Sequence, residues 1–487
     1  MVNILANRFF HRFDLTEGNR YTLSEATRNI LETLTQPVTV KAYFSENLPP
    51  DVQPLRREFK DLLTEYRNIS NGMLAFEFIN PNEDEATENE AASAGIMPLQ
   101  INVREKDQIK VQRAFLGAVV QMGEEEDVIP VMQETEGMEY ALSTSIKKLS
   151  VIDKPLVGFL QGHGEPGLGQ FRQALHALDI LYQVEPVELN DTIDELEKYS
   201  TVAIVAPTDS FPESHLQQLT DHLAKGRNLL IAINRVDADL NQGRGSLVTT
   251  GLETWLENRG VQVNPNFVYD ETCMPIGVQM QQGPFMVTQQ VQLPYFPVIV
   301  NFPEHLVTTG LEQVVFQFVS SVEFNGDSVV NFTPLAQSST SAGISPAPTY
   351  INIMREWNEA DFGMARITLA GAVEGPVVGT NPSRMVVFGD GDFAVNSSQQ
   401  QQQGQLNPDN VSLLVNAIDW LSDDTGLIEL RTKGASARPI DELEDGKRTF
   451  LKFFNFLFPI VLIIAIGIIR MQYRQNLRTK RMEEGYV

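Results

Sequence analysis

A histidine and a glutamate lie two residues apart in a glycine-rich loop, GHGEPG at 162–167. A run of apolar residues typical of a buried strand precedes this loop, and a helical pattern follows it. Such a turn can present backbone N–H groups to an anion, and His163 with Glu165 could form an acid/base pair. The loop has neither the lysine of a P-loop nor the spacing of a dinucleotide fingerprint. A tight structural turn that depends on Gly162 and Gly164 is the simpler interpretation.

Two aspartates follow another predicted strand, in the segment GDGDF at 389–393. Carboxylates are the ligands that divalent cations such as Ca²⁺ and Mg²⁺ prefer, so Asp390 and Asp392 could hold one. No third ligand lies nearby in the sequence, however, and aspartates at strand ends also hold turns. The segment is therefore interpreted as structural, and we predict no metal ion.

The other reactive residue types give no catalytic pattern. Cys273 is the only cysteine, so no intrachain disulfide is possible, and its acidic neighbours raise the pKa of a thiol rather than lower it. His215 and His222, seven residues apart on one predicted helix, are expected at the surface. The six histidines show no metal-ligand spacing; they are His11, His163, His176, His215, His222 and His305. We therefore predict a protein that is not an enzyme and has no cofactor.

The N-terminal third alternates between helical and strand periodicity. A β-α-β unit with this pattern resembles the start of a thioredoxin-like domain, but without the CxxC motif that thioredoxin chemistry requires. The predicted elements are a helix at 21–34, a strand at 38–45, a helix at 52–69, a strand at 74–81, two or three strands within 101–132 and a helix at 137–150.

A second α/β block begins at Pro155. Short apolar runs typical of buried strands alternate with helices, which predicts a mostly parallel, Rossmann- or flavodoxin-like sheet with helices on both faces. The main strands are predicted at 156–162, 184–189, 201–206, 228–234 and 384–390, with helices near 212–224, 246–260 and 407–421. Asn407 is the expected N-cap of the last helix, with Pro408 at its first position.

A β-rich insertion of hairpins and long loops is expected at about 277–349, because this stretch is rich in glutamine, proline, serine and threonine. Within it, 336–349 (AQSSTSAGISPAPT) has the composition most typical of disorder.

The charge balance excludes one class of partner. The 487 residues include 37 Lys and Arg against 63 Asp and Glu, for a formal net charge of −26. Nucleic-acid-binding proteins carry basic surfaces, so no nucleic-acid partner is expected.

The last forty residues indicate a membrane anchor. Residues 453–469 (FFNFLFPIVLIIAIGII) form an apolar run close to the roughly 20 residues that span a bilayer. Basic residues mark the cytoplasmic side of a span, and five follow this one: Arg470, Arg474, Arg478, Lys480 and Arg481. This predicts a bacterial inner-membrane protein whose bulk is periplasmic and whose tail is cytoplasmic.

That topology needs an export signal, and the first thirteen residues lack an apolar stretch long enough to provide one. We expect a second span before residue 1, of which the N-terminal segment is a remnant. The predicted divisions are a membrane-proximal segment at 1–20, a thioredoxin-like domain at 21–150, a larger α/β domain at 151–430, a linker at 431–449, a transmembrane helix at 450–470 and a cytoplasmic basic tail at 471–487.

Several of these segments together resemble one protein family. The stretches FHRFDLTEGNRYTLSEAT (10–27), VTVKAYFSENLPP (38–50), GFLQGHGEPGL (158–168), VVFGDGDFAVN (386–396) and NPDNVSLLVNAIDWL (407–421) are similar to the GldG family, the membrane-anchored auxiliary subunits of gliding-motility-associated ABC transporters. The central region is also similar to a domain of an intraflagellar transport protein.

The resemblance implies an accessory role beside a separate ABC permease and, through it, an ABC ATPase, and it implies no catalytic residues. A membrane-tethered solute- or ligand-binding protein remains the alternative, since two α/β lobes can form a cleft. A third hypothesis is a hydrolase using His163 with Asp390 or Asp392. The loop residues Gly162, His163, Gly164 and Glu165, with Asp390 and Asp392, are the candidate interaction or ligand positions.

Overall fold

The structure is a computed structural model, which describes residues 22–49, 52–105, 108–132, 135–150, 154–191, 195–240, 242–282, 285–396, 406–422 and 445–483. The chain divides into two compact units, Met1–Ser436 and Ala437–Val487. The predicted membrane-proximal segment at 1–20, most of the predicted linker and the glutamine-rich loop at 399–403 lie outside the described residues.

The described helices are α1 Glu25–Glu32, α2 Gln53–Ile69, α3 Glu85–Ser93, α4 Thr135–Ser150, α5 Arg172–Leu178, α6 Glu213–Ala224, α7 Leu252–Glu257, α8 Pro408–Ser422 and α9 Asp445–Glu483.

The first strands are β1 Val38–Phe44, β2 Leu74–Ile79, β3 Leu99–Glu105, β4 Gln108–Ala114, β5 Leu116–Met122, β6 Glu125–Ile129, β7 Leu156–Gln161, β8 Gln183–Glu188, β9 Thr201–Val205, β10 Asn228–Ala232, β11 Val236–Asp239 and β12 Arg244–Leu247. The others are β13 Val261–Val263, β14 Asn266–Asp270, β15 Cys273–Gln282, β16 Phe285–Ile299, β17 Val314–Val315, β18 Val322–Phe324, β19 Asn331–Gln337, β20 Ala342–Pro346, β21 Thr349–Tyr350, β22 Thr368–Gly375 and β23 Ser383–Phe388.

The first sheet has four strands in the order β2-β1-β5-β6. β1 and β2 are parallel, with Val38 opposite Leu74, and the other pairs are antiparallel. The predicted β-α-β unit is thus present, and α2 packs Phe59, Leu63 and Tyr66 against the sheet core because its apolar residues recur every three to four positions. The region 101–132 contributes to four strands, one more than the two or three predicted.

The central sheet has seven strands in the order β19-β22-β23-β10-β9-β7-β8. The five from β23 to β8 are parallel, and β22 and β19 extend this sheet antiparallel at one edge. Taken alone, the five parallel strands follow the flavodoxin-like order 2-1-3-4-5. The predicted α/β class is confirmed.

Helices cover both faces of the central sheet. On one face, Phe159, Val205 and Phe388 pack with α5 and α8. On the other face, Ile204 and Ile231 pack with α6 and α7. Alternate residues of each strand point to opposite sides, so both faces of these short runs must be apolar, as their sequences are.

Two local predictions, one in the insertion and one before it, are wrong. The segment expected to be disordered, 336–349, contains the end of β19, all of β20 and the start of β21. Ser339 in this segment donates hydrogen bonds to the buried Asp270 carboxylate, a partner that composition alone does not reveal. The helix predicted at 246–260 is limited to Leu252–Glu257, because Gly251 adopts a left-handed conformation (φ 88°) immediately before it.

The C-terminal unit contains the long helix α9. Residues Gly446–Leu477 within it are long and apolar enough to cross a membrane, with a mean hydropathy of 2.4 in the most apolar part. Pro459 lies inside this helix, and its apolar side chains, including Phe456 and Ile463, are exposed. An exposed apolar surface of this length has the properties of a bilayer-spanning segment.

Candidate functional site

The two glycine-rich segments identified in the sequence follow β7 and β23, which are parallel strands of the central sheet. Their carboxyl ends therefore lie at the same edge, together with those of β9 and β10. β8 lies beside β7 at one edge of the sheet, whereas β9 and then β10 lie on the opposite side of β7. The order in which successive strands are placed therefore reverses between β7 and β9. Ligands of open α/β sheets bind in the crevice beside such a reversal.

The side chain of His163 lies at this edge and contacts Phe211, Glu165 and His215. It is buried, and its imidazole stacks on Phe211 with ring centroids 3.8 Å apart and the planes within 3° of parallel. Its backbone N–H donates to Oε2 of Glu165 at 2.6 Å, and its Nδ1 lies 3.4 Å from Oε1 of the same carboxylate. The structure therefore brings the predicted acid/base pair together.

The other ring nitrogen of His163 faces a residue that the sequence analysis placed at the surface. Nε2 of His163 and Nδ1 of His215 are 2.9 Å apart and share one hydrogen bond. Nε2 of His215 in turn lies 3.4 Å from Oδ1 of Asp191, which also accepts a hydrogen bond from Ser214 Oγ. The expectation for His215 and His222 was wrong, because α6 turns both toward the protein interior, where His222 is 2 % exposed.

Glu165, His163, His215 and Asp191 thus form a continuous row, in which every ring nitrogen faces another protein group. The two imidazoles share the one hydrogen bond between side chains of this row, and the two outer contacts to Glu165 and Asp191 are longer, at 3.4 Å. The row connects the loop after β7 to α6 and to Asp191 after β8.

The glycines of the loop are required by its geometry. Gly162 and Gly164 have φ values of 106° and 80°, which L-residues rarely adopt. A β-carbon on Gly164 would lie 2.0 Å from Thr208 Oγ1. The backbone N–H groups of Thr208 and Asp209 donate to the carbonyl of His163, at 2.9 and 2.8 Å. The segment after β9 is therefore locked onto the loop after β7.

Asp390 is completely buried at the end of β23. Its carboxylate accepts hydrogen bonds from the backbone N–H groups of Gln317 and Asp392, both at 2.7 Å. Burial, together with the nearby Asp392 carboxylate, raises the pKa of Asp390 from 3.8 to about 8. These bonds hold the GDGDF turn against the insertion.

Asp392 is hydrogen-bonded to Asn234, which follows the neighbouring strand β10. Its Oδ2 accepts from Asn234 Nδ2 at 2.7 Å, while Asn234 Oδ1 accepts from Gly391 N at 2.7 Å. Burial raises the pKa of Asp392, and the Asn234 hydrogen bond offsets part of that rise. Among the described residues, no hydrogen bond or ion pair joins either aspartate to His163. The hydrolase hypothesis, which requires His163 to act with Asp390 or Asp392, therefore has no support from a direct contact between these side chains.

No group of three His, Cys, Asp or Glu side chains within the described ranges is arranged to hold a metal ion. Cys273 is half-buried, and burial followed by the charge of Asp270 raises the pKa of its thiol from 9.0 to about 11. A thiol with a raised pKa is a poor nucleophile at neutral pH.

Sequence reasoning missed several partners of these loops, among them Phe211, His215, Asn234 and Gln317. Asn234 ends the run NLLIAIN, and His215 lies in the first turn of α6, so both lie where a parallel sheet places its loops. That position was the available signal for these two residues. Gln317 gives no such signal, because its contact uses a backbone N–H.

The sheet domain also matches a known family. Residues 154–422, more than half of the chain, match a family of auxiliary proteins described as an ABC-type uncharacterized transport system. The chain belongs to this ABC-transport auxiliary family. The N-terminal region, residues 17–121, matches a domain of unknown function. An ABC-transport auxiliary protein is associated with a transporter, and this one carries an apolar C-terminal helix suited to membrane anchoring.

Three further likenesses were found. An uncharacterised protein of Borreliella burgdorferi is 18 % identical over 498 residues, which cover 96 % of this chain and 94 % of that protein. The solved mmIFT52 N-terminal domain covers 55 % of this chain and 98 % of its own, with 11 % identity and a TM-score of 0.37. A ThuA-like protein from Parabacteroides merdae covers 59 % and 93 %, with 11 % identity and a TM-score of 0.30. Likenesses at these TM-scores carry no argument about function.

Proposed function

We propose that this protein is a non-catalytic, membrane-anchored auxiliary subunit of a bacterial ABC transporter of the gliding-motility-associated, GldG type. It works beside a separate permease and, through the permease, a separate ATPase. The single observation that carries this proposal is the family match over 154–422. This range includes all seven strands of the central sheet. The sequence segments that resemble GldG support the finer assignment.

The arrangement of the loops supports a non-catalytic role. A general base needs a free nitrogen or oxygen within about 3 Å of a substrate proton. Here the ring nitrogens of His163 and His215 face each other, Glu165 and Asp191. Three of the four carboxylate oxygens of Asp390 and Asp392 accept hydrogen bonds from the protein. These groups serve to position the loops.

The orientation follows from the charges around α9. Arg470 and Arg474 directly follow the apolar segment, and basic residues stay on the cytoplasmic side during insertion. The bulk of the chain is then periplasmic. Its strongly negative charge also disfavours adhesion to anionic lipid surfaces.

Cysteine labelling tests the orientation, because Cys273 is the only native thiol. In a Cys273→Ser background, Gln217→Cys on an exposed position of α6 should react with a membrane-impermeant maleimide in intact spheroplasts. Thr479→Cys should react only after permeabilisation. The opposite pattern would place the large unit in the cytoplasm and refute the proposed orientation.

Photo-crosslinking tests the partnership. A photoreactive amino acid at Leu457 or Ile463, whose side chains are 49 % and 69 % exposed on α9, should crosslink to a polytopic permease in cells. A span that serves only as an anchor would crosslink to lipid alone, and that outcome would contradict a subunit role for this helix.

A second candidate function is ligand binding by the tethered unit. It is favoured by one observation, a cleft of about 460 Å³ lined by polar side chains and Arg366. This volume lies within the range of small-molecule sites.

A further inference from the structure

A polar cleft lies where β19 ends and β22 begins, at the same edge of the central sheet as the His163 loop. Its walls come from Ser338–Thr340 after β19, Arg366 before β22, and Asn301–Pro303 after β16. None of these residues takes part in the row of histidines and carboxylates. The cleft is therefore a separate feature of the sheet edge.

One wall of the cleft is held in place by a buried carboxylate. Asp270 is fully buried, and it accepts hydrogen bonds from Ser339 N at 2.6 Å, Ser339 Oγ at 2.7 Å and Thr272 N at 2.8 Å. Ser338 Oγ accepts from Ile367 N at 2.8 Å. The hydroxyl groups of both serines are thus used to build the wall, which gives it a fixed shape.

Arg366 is held on that wall in an unfavourable backbone conformation. Its φ is 54°, a left-handed value that costs a non-glycine residue energy, and its N–H donates to Ser339 O at 2.9 Å. Its side chain is exposed and forms no ion pair or side-chain hydrogen bond with any residue in the described part of the chain. A glycine would fit this backbone with less strain, and the guanidinium of Arg366 is available to a ligand in the cleft.

The side chains that face the cleft define the ligand they suit. A guanidinium offers a planar fork of donors matched to a carboxylate. Among the described residues that line the cleft, Arg366 is the one that carries a charge. The amide of Asn301 and the hydroxyl of Thr340 can both donate and accept, as sugar hydroxyl groups require. Phe302 and Pro303 add an apolar surface beside them.

We propose that this cleft binds a uronic-acid residue, a sugar that carries one carboxylate, either free or at the end of a saccharide chain. The single positive charge of Arg366 matches the single negative charge of such a sugar. Phosphate, which carries more charge, would be expected to require further cations or a helix N-terminus.

The test is a calorimetric titration of the full chain in a detergent without a sugar headgroup, such as lauryldimethylamine oxide. The probes are D-galacturonate, neutral D-galactose, inorganic phosphate and trigalacturonate. Galacturonate should bind saturably and at least roughly tenfold more tightly than galactose or phosphate, since only it satisfies both the charge and the hydroxyl groups. Trigalacturonate should bind as tightly or more tightly, with the latter result indicating a saccharide chain as the source.

Arg366→Gln should weaken galacturonate binding by about tenfold or more, whereas the matched variant Arg57→Gln, which removes an exposed arginine from α2, should leave it unchanged. Arg366→Gly should lose binding while remaining folded, because glycine relieves the left-handed backbone. Absence of galacturonate binding, equal binding by Arg366→Gln, or equal affinity for galactose or phosphate would each overturn the proposal.

Discussion

Gly391 lies directly against the backbone of Ala206. A β-carbon at Gly391 would be 2.7 Å from Ala206 Cα and 2.9 Å from Ala206 N, and Ala206 itself has a left-handed φ of 47°. Two residues further on, Thr208 donates to the carbonyl of His163. The segment after β9 therefore contacts both glycine-rich loops, and it links the two motifs that are more than two hundred residues apart in sequence.

Gly391→Ala should destabilise the protein, because the added methyl group meets backbone atoms that cannot move independently. We expect a loss of about 1–3 kcal/mol in the free energy of unfolding, measured as a shift of the urea midpoint of the full chain in detergent. Gly363→Ala is the control, since a β-carbon there meets no atom within 4 Å. An equal effect of both substitutions would contradict the close contact with Ala206.

His163→Ala should also destabilise the fold. The substitution removes the stack on Phe211 and leaves the buried Glu165 carboxylate without its imidazole partner, so we expect a loss of about 2 kcal/mol or more. His176→Ala, at an exposed position of α5, should change stability by less than about 0.5 kcal/mol. Thermal unfolding of the two variants distinguishes them, and a His163→Ala protein as stable as the His176→Ala control would refute the structural role.

Asp390 should make stability depend on pH. Because burial raises the pKa of Asp390 from 3.8 to about 8, the folded protein binds this proton more tightly than the unfolded chain. The free energy of unfolding should therefore fall as pH rises from about 4 to about 8, by at most about 1.4 kcal/mol per pH unit for this group. Its contribution is fully present below pH 4 and is lost as pH rises through 8.

Asp390→Asn should reduce this slope in urea unfolding curves recorded across that range. Asp61→Asn, an exposed carboxylate on α2, serves as the control and should leave the slope unchanged. A slope of the same size in wild type and Asp390→Asn would show that the buried carboxyl group does not bind the proton.

Cys273 should be slow to react. With a thiol pKa of about 11 rather than 9.0, roughly one molecule in a thousand carries the thiolate at pH 8, about a hundredfold fewer than in the unfolded chain. Alkylation by iodoacetamide, followed by mass spectrometry, should be slower by about that factor in the folded protein. Equal rates before and after unfolding in urea would contradict the buried environment.

The elements that the sequence predicts well are those whose signal is local. β7 and β9 are short apolar runs buried on both faces, and α8 begins where Asn407 Oδ1 accepts from Asp409 N at 3.0 Å. Both features depend only on residue type and spacing.

The features that the sequence does not predict depend on contacts between distant residues. Ser339 is ordered by the carboxylate of Asp270, 69 residues away, and His215 is turned inward by His163, 52 residues away. A serine-rich stretch or a histidine on a helix has the same local pattern whether or not such a partner exists. The candidate loops could be found from sequence, but their mutual contacts could not.

The most direct test of the account is affinity purification of the tagged full chain from its own membrane, with quantitative mass spectrometry of the proteins recovered. The matched control replaces residues 450–470 with an unrelated apolar span of equal length. We predict that the native chain recovers a polytopic permease and an ABC ATPase in comparable amounts, and that the control recovers markedly less of both. Recovery of the native chain without either protein would contradict its assignment as a transporter subunit.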